Sequence, residues 1–296
     1  MAELSDFLPY LVFIIGLMVG SFLNVVIYRL PIMMYRGWRK ECIEFLELAP
    51  EAVPVPQGAG NVQITEEEPF NLALPLSRCS SCKTPIKPYH NIPVLSYLFL
   101  RGKCAHCGAG ISFRYPAIEL LTAVLSAVVA WHFGYTLQAV FALLLTWSLV
   151  ALSFIDVDHH LLPDSINLPV LWLGLLLSLF GFYTDAHASI IGAAAGYGSL
   201  WIVYHLFKLA TGKEGMGFGD FKLLALFGAW LGWQSLPLII LLSALTGAVF
   251  GIASILFAKR DHAAPIPFGP YLAVAGWIAL IWGDAINRLY LDSVGL

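Results

Sequence analysis

The stretch LQAVFALLLTWSLVALSFIDVD, residues 137–158, decides the fold. From Leu137 to Ile155 it carries no charge, and Asp156 and Asp158 then follow at once. A helix needs roughly 20 mostly apolar residues to cross a bilayer. The run therefore reads as a membrane span, 137–155, with a carboxylate where it meets water. Outward from it the pattern repeats, at 8–28, 116–133, 165–183, 189–208, 220–234, 236–258 and 270–290. The chain has 296 residues, 59% of them hydrophobic and 12% charged, with a mean hydropathy of +0.78. Soluble domains carry about 25% charged residues, so an ordinary soluble enzyme is excluded, as are a disordered chain and a coiled coil. The net charge of −3 argues against a nucleic-acid partner held by bulk charge. The expectation is an all-α polytopic membrane protein of about eight transmembrane helices, with the lipid bilayer as its first partner.

Charge divides the chain. Residues 1–30 hold only Glu3, Asp6 and Arg29. Residues 31–114 hold nine basic and seven acidic residues, and the longer remainder dilutes its charges among apolar runs. The expected domains are an N-terminal transmembrane helix (1–30), a small polar domain inserted after it (31–114), and a membrane-embedded domain (115–296). Secretory signals open with positive charge, whereas here Glu3 and Asp6 come first and Arg29 only after the apolar run. That reads as a retained anchor with its N-terminus outside. Lys and Arg favour the cytoplasmic side. With the N-terminus outside, segments 29–115, 156–164, 209–219 and 259–269 are cytoplasmic, and Arg288 alone among the basic residues falls far from them.

Within the polar domain, Cys79-Ser-Ser-Cys82 and Cys104-Ala-His-Cys107 form two Cys-x-x-Cys turns. Two such turns supply four thiolates to one tetrahedral zinc. The competing readings are a redox disulfide pair and unrelated thiols, and the reducing cytosol disfavours structural disulfides. His106 offers a substitute for one thiolate. Four thiolates leave no open coordination position, so a zinc here is structural. Gly102, Gly108 and Gly110 suit tight turns. Cys42 stands alone on an amphipathic helix expected over 38–48. The acidic, Pro/Gly-rich stretch Pro54–Pro69, with Glu66, Glu67 and Glu68, reads as a solvated loop.

Acids at the edges of spans are costly and default to functional hypotheses. At the cytoplasmic edge stand Glu119, Asp156, Asp158, Asp164, Asp220 and Asp261. Asp156 ends one span. Asp220 follows Gly217-Phe218-Gly219 and opens another, and two intervening spans return the chain to the same face. Two carboxylates at one depth, sharing one proton across a water, meet the requirement of aspartic proteolysis. Gly217 and Gly219 would let a substrate backbone approach Asp220. The plainer reading is a glycine turn capped by an aspartate. Asp164 is expected to N-cap its span. Asp158, beside His159 and His160, is either solvated or metal-binding. Glu119 is expected to face Arg114 or the N-terminus of its own helix. No P-loop, Gly-x-Ser-x-Gly or His-Glu-x-x-His motif competes.

Taken jointly, these residues resemble the type IV prepilin peptidase family. The likeness runs nearly end to end: Gly20-Ser21-Phe22-Leu23-Asn24 through Tyr28-Arg29-Leu30-Pro31, both knuckles, Arg114-Tyr115-Pro116 with Glu119, Ile155-Asp156-Val157-Asp158 with Leu162-Pro163-Asp164, and Gly217-Phe218-Gly219-Asp220. The resemblance implies an endopeptidase of the bacterial inner membrane, with Asp156 and Asp220 as catalytic pair. Its substrates would be prepilins and pseudopilins of type IV pili or type II secretion. It also implies N-methylation of the new N-terminus by S-adenosylmethionine in the cysteine-bearing domain, with Gly102 and Lys103 as candidate residues and the binding residues for the donor unknown. Two other readings stay open: a peptidase whose cysteine domain is only structural, and an ion-coupled transporter. A transporter predicts acids at mid-membrane depth, and the span interiors carry none.

Overall fold

The computed structural model describes residues 2–47, 70–258 and 267–294. The expected loop Pro54–Pro69 and Asp261 lie outside the described residues. What is described is helical, and its only sheet-like pairings are two isolated bridges, Arg78 with Pro85 and Lys103 with Gly110. Nine α-helices are seen among the described residues: α1 (Ala2–Leu46), α2 (Leu95–Phe99), α3 (Arg114–Phe133), α4 (Leu137–His159), α5 (Asp164–Ser178), α6 (Ala186–Thr211), α7 (Phe218–Leu231), α8 (Leu236–Ala258) and α9 (Gly269–Val294).

All eight expected apolar runs are helices. Six of them, α1, α3, α4, α6, α8 and α9, are long and apolar enough to cross a membrane. The other two, α5 with 15 residues and α7 with 14, rise only about 21–23 Å at 1.5 Å per residue. Pro163 and Gly217 stand immediately before these two helices, and Gly232 immediately after α7.

The first helix departs from expectation. The span 8–28 and the separate amphipathic helix at 38–48 are one continuous helix of 45 residues that carries Pro31 inside it. A proline in a helix interior removes one hydrogen bond and clashes with the preceding turn. Here burial compensates: Ile27 and Ile32, either side of the proline, are 4% and 3% exposed. The helix is about 68 Å long, more than twice the thickness of a bilayer core.

The chain forms two compact units, Met1–Tyr135 and Thr136–Leu296. In the first, α3 packs along α1, because glycines bring the backbones together. A Cβ on Gly16 would lie 2.7 Å from the Ala123 Cα, and one on Gly20 would lie 2.7 Å from the Glu119 Cα. The apolar helix at 114–133 thus belongs with α1, one helix later than the change in charge density at residue 115.

The second unit is built around α7. Phe221, Leu223, Leu224, Leu226 and Phe227 are fully buried in it. A helix apolar on every face is a bundle core; α7 is one beyond Lys222, and α5, α6 and α9 surround it. Small residues again set the approach: Gly192 on α6 meets Gly228 on α7, and Gly276 on α9 lies against the Phe227 ring. Trp230 lies against Gly174 and donates its indole N–H to the Val170 carbonyl at 2.8 Å.

Candidate active site and metal centre

Asp156 lies in the last turn of α4 and is 6% exposed. The helix stops four residues later at His160, in the left-handed region with φ 53°. Asp220 lies in the first turn of α7 and is also 6% exposed. Each carboxyl is oriented through Oδ2 by a backbone N–H: Gly269 donates to Asp156 at 3.0 Å, and Gly217 donates to Asp220 at 3.2 Å. The glycine turn is therefore capped by its aspartate, as the plainer reading held, and the same bond aims the carboxyl. The two acids are near enough for their charges to interact.

Leu162 closes the geometry. A Cβ on Gly219 would stand 2.8 Å from the Leu162 Cβ, and one on Gly269 would stand 3.1 Å from its Cδ2 and 2.7 Å from Asp156 Oδ2. One leucine thus seats the two glycines that flank the acids. Asn167, fully buried, donates to the Gly219 carbonyl at 3.5 Å, and its Oδ1 has no hydrogen-bond partner among the described residues. Sequence reasoning missed Asn167 and Gly269 and gave Leu162 only as part of the resemblance, since apolar or neutral residues acquire such roles only through packing.

The other edge acids separate from this pair. Asp158 is exposed. Asp164 is not the N-cap of α5; Pro163 occupies that position, and Asp164 pairs with Lys222 Nζ at 2.7 and 2.8 Å. Lys222 stands two residues beyond Asp220, so a strong cationic donor competes with the backbone for this carboxylate. Glu119 accepts from the Val94 N–H at 2.8 Å and from the Ser21 hydroxyl, rather than answering to Arg114 or its own helix end.

In the first unit the four cysteines converge. The thiol sulfurs of Cys79, Cys82, Cys104 and Cys107 all lie within 4.8 Å of one another. A tetrahedral tetrathiolate site with bonds near 2.3 Å puts its sulfurs about 3.8 Å apart, and Cys79 Sγ and Cys107 Sγ are 3.9 Å apart. The donor set fits a tetrahedral metal.

The two knuckles are copies of one turn, offset by 25 residues. Cys79 N–H donates to Thr84 C=O at 3.0 Å, as Cys104 N–H does to Ala109 C=O at 2.8 Å. Lys83 N–H returns to Cys79 C=O, as Gly108 N–H returns to Cys104 C=O, both at 3.0 Å. Lys83 and Gly108 share positive φ, 59° and 71°. The Thr84 side chain, 3.3 Å from Cys82 Sγ, holds that thiol below its ordinary value, at about 6. His106 donates its backbone N–H to Cys104 Sγ at 3.5 Å. Cys42 is exposed on α1, outside this cluster.

Beside the knuckles lies a cavity of about 930 Å³, lined among others by Asn24, Arg36, Phe70, Tyr97, Cys104 and Glu119. Small-molecule sites run to roughly 300–1,000 Å³, so a nucleoside-sized molecule fits. Arg36 lies over the Phe70 ring at 4.3 Å. Gly102 is buried with φ 68°, and a Cβ there would strike the Tyr97 ring at 2.9 Å. It thereby seats a wall residue of the cavity, while Lys103 is exposed.

Residues 14–133 match the Bacterial Peptidase A24 N-terminal domain, and residues 143–252 match the Type IV leader peptidase family. Three relatives share that likeness over nearly their whole length, each named prepilin leader peptidase/N-methyltransferase. The protein from Stutzerimonas stutzeri is 57% identical, over 96% of this chain and 93% of its own. That from Pseudomonas aeruginosa is 55% identical, over 95% and 93%. That from Aeromonas hydrophila is 53% identical, over 98% of each. The chain belongs to the type IV leader peptidase family. No solved structure matches it. The family's two matched regions fall one in each compact unit, the first with the cysteine knuckles and the second with Asp156 and Asp220.

Proposed function

We propose that this chain is a membrane aspartic endopeptidase that removes the leader of prepilin-like and pseudopilin substrates and then N-methylates the new N-terminus with S-adenosylmethionine. The observation that carries the peptidase reading is the pair of buried carboxyls, Asp156 and Asp220, each aimed by a glycine N–H and joined through Leu162. One carboxylate takes a proton from water as that water attacks the scissile carbonyl. The other, protonated, hydrogen-bonds the carbonyl oxygen as negative charge develops there. Burial strengthens both interactions, because charges act more strongly out of water.

The chain crosses the bacterial inner membrane about eight times, α5 and α7 completing the count inside the bundle. The knuckles and the acid pair stand on the cytoplasmic side, which the distribution of Lys and Arg supports. The knuckles hold one structural zinc, for which four sulfurs at tetrahedral spacing speak. Division of labour follows the two units: cleavage belongs to the second, Thr136–Leu296, and methyl transfer to the first, which carries the cysteines. The cavity beside the knuckles favours a methyltransferase over a merely structural zinc domain, since a structural domain needs no such space. Gly102 acts there by seating Tyr97, and Lys103 is its exposed neighbour.

The test is mass spectrometry of the purified protein acting on a prepilin-like peptide. The expected products are first the peptide without its leader, then the same peptide heavier by one methyl group. An intact peptide would overturn the peptidase reading, and a cleaved but unmethylated one the second activity.

A further inference from the structure

The cavity of the first unit contains one buried carboxylate, and its placement there needs a reason. Glu119 is 8% exposed, yet it lines the cavity. Its position is over-determined. The close approach at Gly20 fixes the backbone, Asn24 Nδ2 donates to the Tyr115 carbonyl at 3.1 Å one turn earlier in α3, and the Ser21 hydroxyl and Val94 N–H hold the carboxylate itself. Val94 makes its bond from φ 59°, a conformation costly for a β-branched residue. Such strain persists only where the surroundings enforce it, and it gathers at functional sites. A buried anion at the edge of an apolar span is itself costly.

The cavity also has a direction. Glu119 stands level with Gly20 of α1, inside the apolar run, whereas Arg36 stands sixteen residues further along, about 24 Å away along the helix. Arg36 lies over Phe70 at 4.3 Å, and its buried Nε has no hydrogen-bond partner among the described residues. Arg29, between them, is engaged by the carbonyls of Asn71 and Pro75 and pins that segment to α1. The anionic end is thus at the membrane and the cationic, aromatic end is away from it.

We propose that Glu119 receives the free α-ammonium of the cleaved substrate and takes its proton for methylation. The inference rests on the methyltransferase reading above. A substrate still held in the bilayer can bring its new N-terminus to the membrane end of the cavity without leaving the lipid. The other end, with Arg36 and Phe70, is left for the carboxylate and the ring of an S-adenosylmethionine-sized donor. Glu119 accepts one proton from the ammonium. The freed nitrogen pair forms the new N–C bond as the carbon–sulfur bond of the donor breaks, and that bond's electrons stay on sulfur, which becomes neutral. The proton on Glu119 then returns to water. Charge and atoms balance with no further reactant.

The experiment uses the full chain and a pre-cleaved peptide with a free N-terminus. Glu119→Gln keeps the shape and can still accept from Val94 and Ser21. It should lower kcat/KM for methylation on the order of 100-fold, as loss of a general base does, with a rise in KM for the peptide. Binding of S-adenosylhomocysteine, read by calorimetry, should match the wild type. Methylation by Glu119→Gln within twofold of wild type would overturn the inference. A wild-type protein that neither binds S-adenosylhomocysteine nor methylates would instead overturn the underlying reading. A second measurement needs no variant: a water-soluble carbodiimide joins an amine to a carboxylate in direct contact. On wild-type protein it should couple the peptide N-terminus to Glu119, found by peptide mapping. Coupling elsewhere, or none, in a protein that does methylate would sink the assignment.

Discussion

The two units solve the problem of placing polar groups at a membrane in opposite ways. In the first, the metal-binding thiols sit on irregular backbone. Four of the five non-glycine residues with positive φ among the described residues, Glu47, Lys83, Val94 and Arg101, lie there, and the knuckle turns close around thiols. In the second, the acids sit at helix ends, and helices packed through glycines hold those ends. Irregular turns with little apolar core need a metal or a ligand to settle them. Close-packed helices need only the absence of side chains at the crossings. Two sites built by different means should break separately, and each variant below tests that.

The largest effect belongs to the acid pair. Asp156→Asn and Asp220→Asn should each reduce leader cleavage by about 10⁴-fold or more, and the double variant should be no worse than either, as groups that act as one unit behave. Both should still methylate a peptide supplied already cleaved. Mass spectrometry on the two substrates reads both outcomes. If Asp220→Asn loses both activities while folded and metal-loaded, the comparison between units collapses into a single site.

Next comes the metal. Cys79→Ser should lose the one zinc expected per chain, measured by elemental analysis, and should lower methylation on the order of 100-fold, because metal binding here is folding energy for the knuckles. Cleavage should fall far less. A metal-free protein that methylates normally would show that the turns hold themselves.

Gly269→Ala sharpens the contrast from the other side. Its Cβ would meet Asp156 Oδ2 at 2.7 Å and Leu162 at 3.1 Å. Overpacking costs about 1–3 kcal/mol; felt at the acid, that is about 5- to 150-fold in cleavage, with methylation unchanged. Asn167→Ala removes a weaker hold, the 3.5 Å bond to Gly219. A hydrogen bond of this kind contributes about 1 kcal/mol, so cleavage should fall about fivefold.

These residues also mark how far the sequence reaches. The eight apolar helices were legible because hydropathy is local, and the knuckles because four thiols at two fixed spacings have few other uses. Asp156 and Asp220 were legible because a charge beside an apolar run stands out. The continuity of α1 through Pro31 was not, since its second half is polar and a proline ordinarily ends a helix; burial of the flanking isoleucines decided it. Nor was the partner of Glu119, because Val94 lies 25 residues earlier in a turn of no recognisable pattern. Leu162 stands in the motif that carries the resemblance, but its role is not legible until two glycines are seen against it.

The smallest effect concerns Asp164, which the resemblance places among the family's motif residues and the structure places in a salt bridge. Lys222 binds both its oxygens, and the side chains are 29% and 52% exposed, so solvent screens the pair. Exposed ion pairs contribute about 0–1 kcal/mol. The bridge ties the first turns of α5 and α7, so its loss should loosen Asp220 without touching the chemistry. Asp164→Asn should lower cleavage by about two- to fivefold, a change of under 1 kcal/mol. The deficit should shrink in high salt, where the wild-type pair is itself screened. Steady-state cleavage at low and high ionic strength measures both. If Asp164→Asn instead matches Asp220→Asn at every salt concentration, the second unit holds three working carboxylates, and the helix-end scaffold described for it is part of the reaction itself.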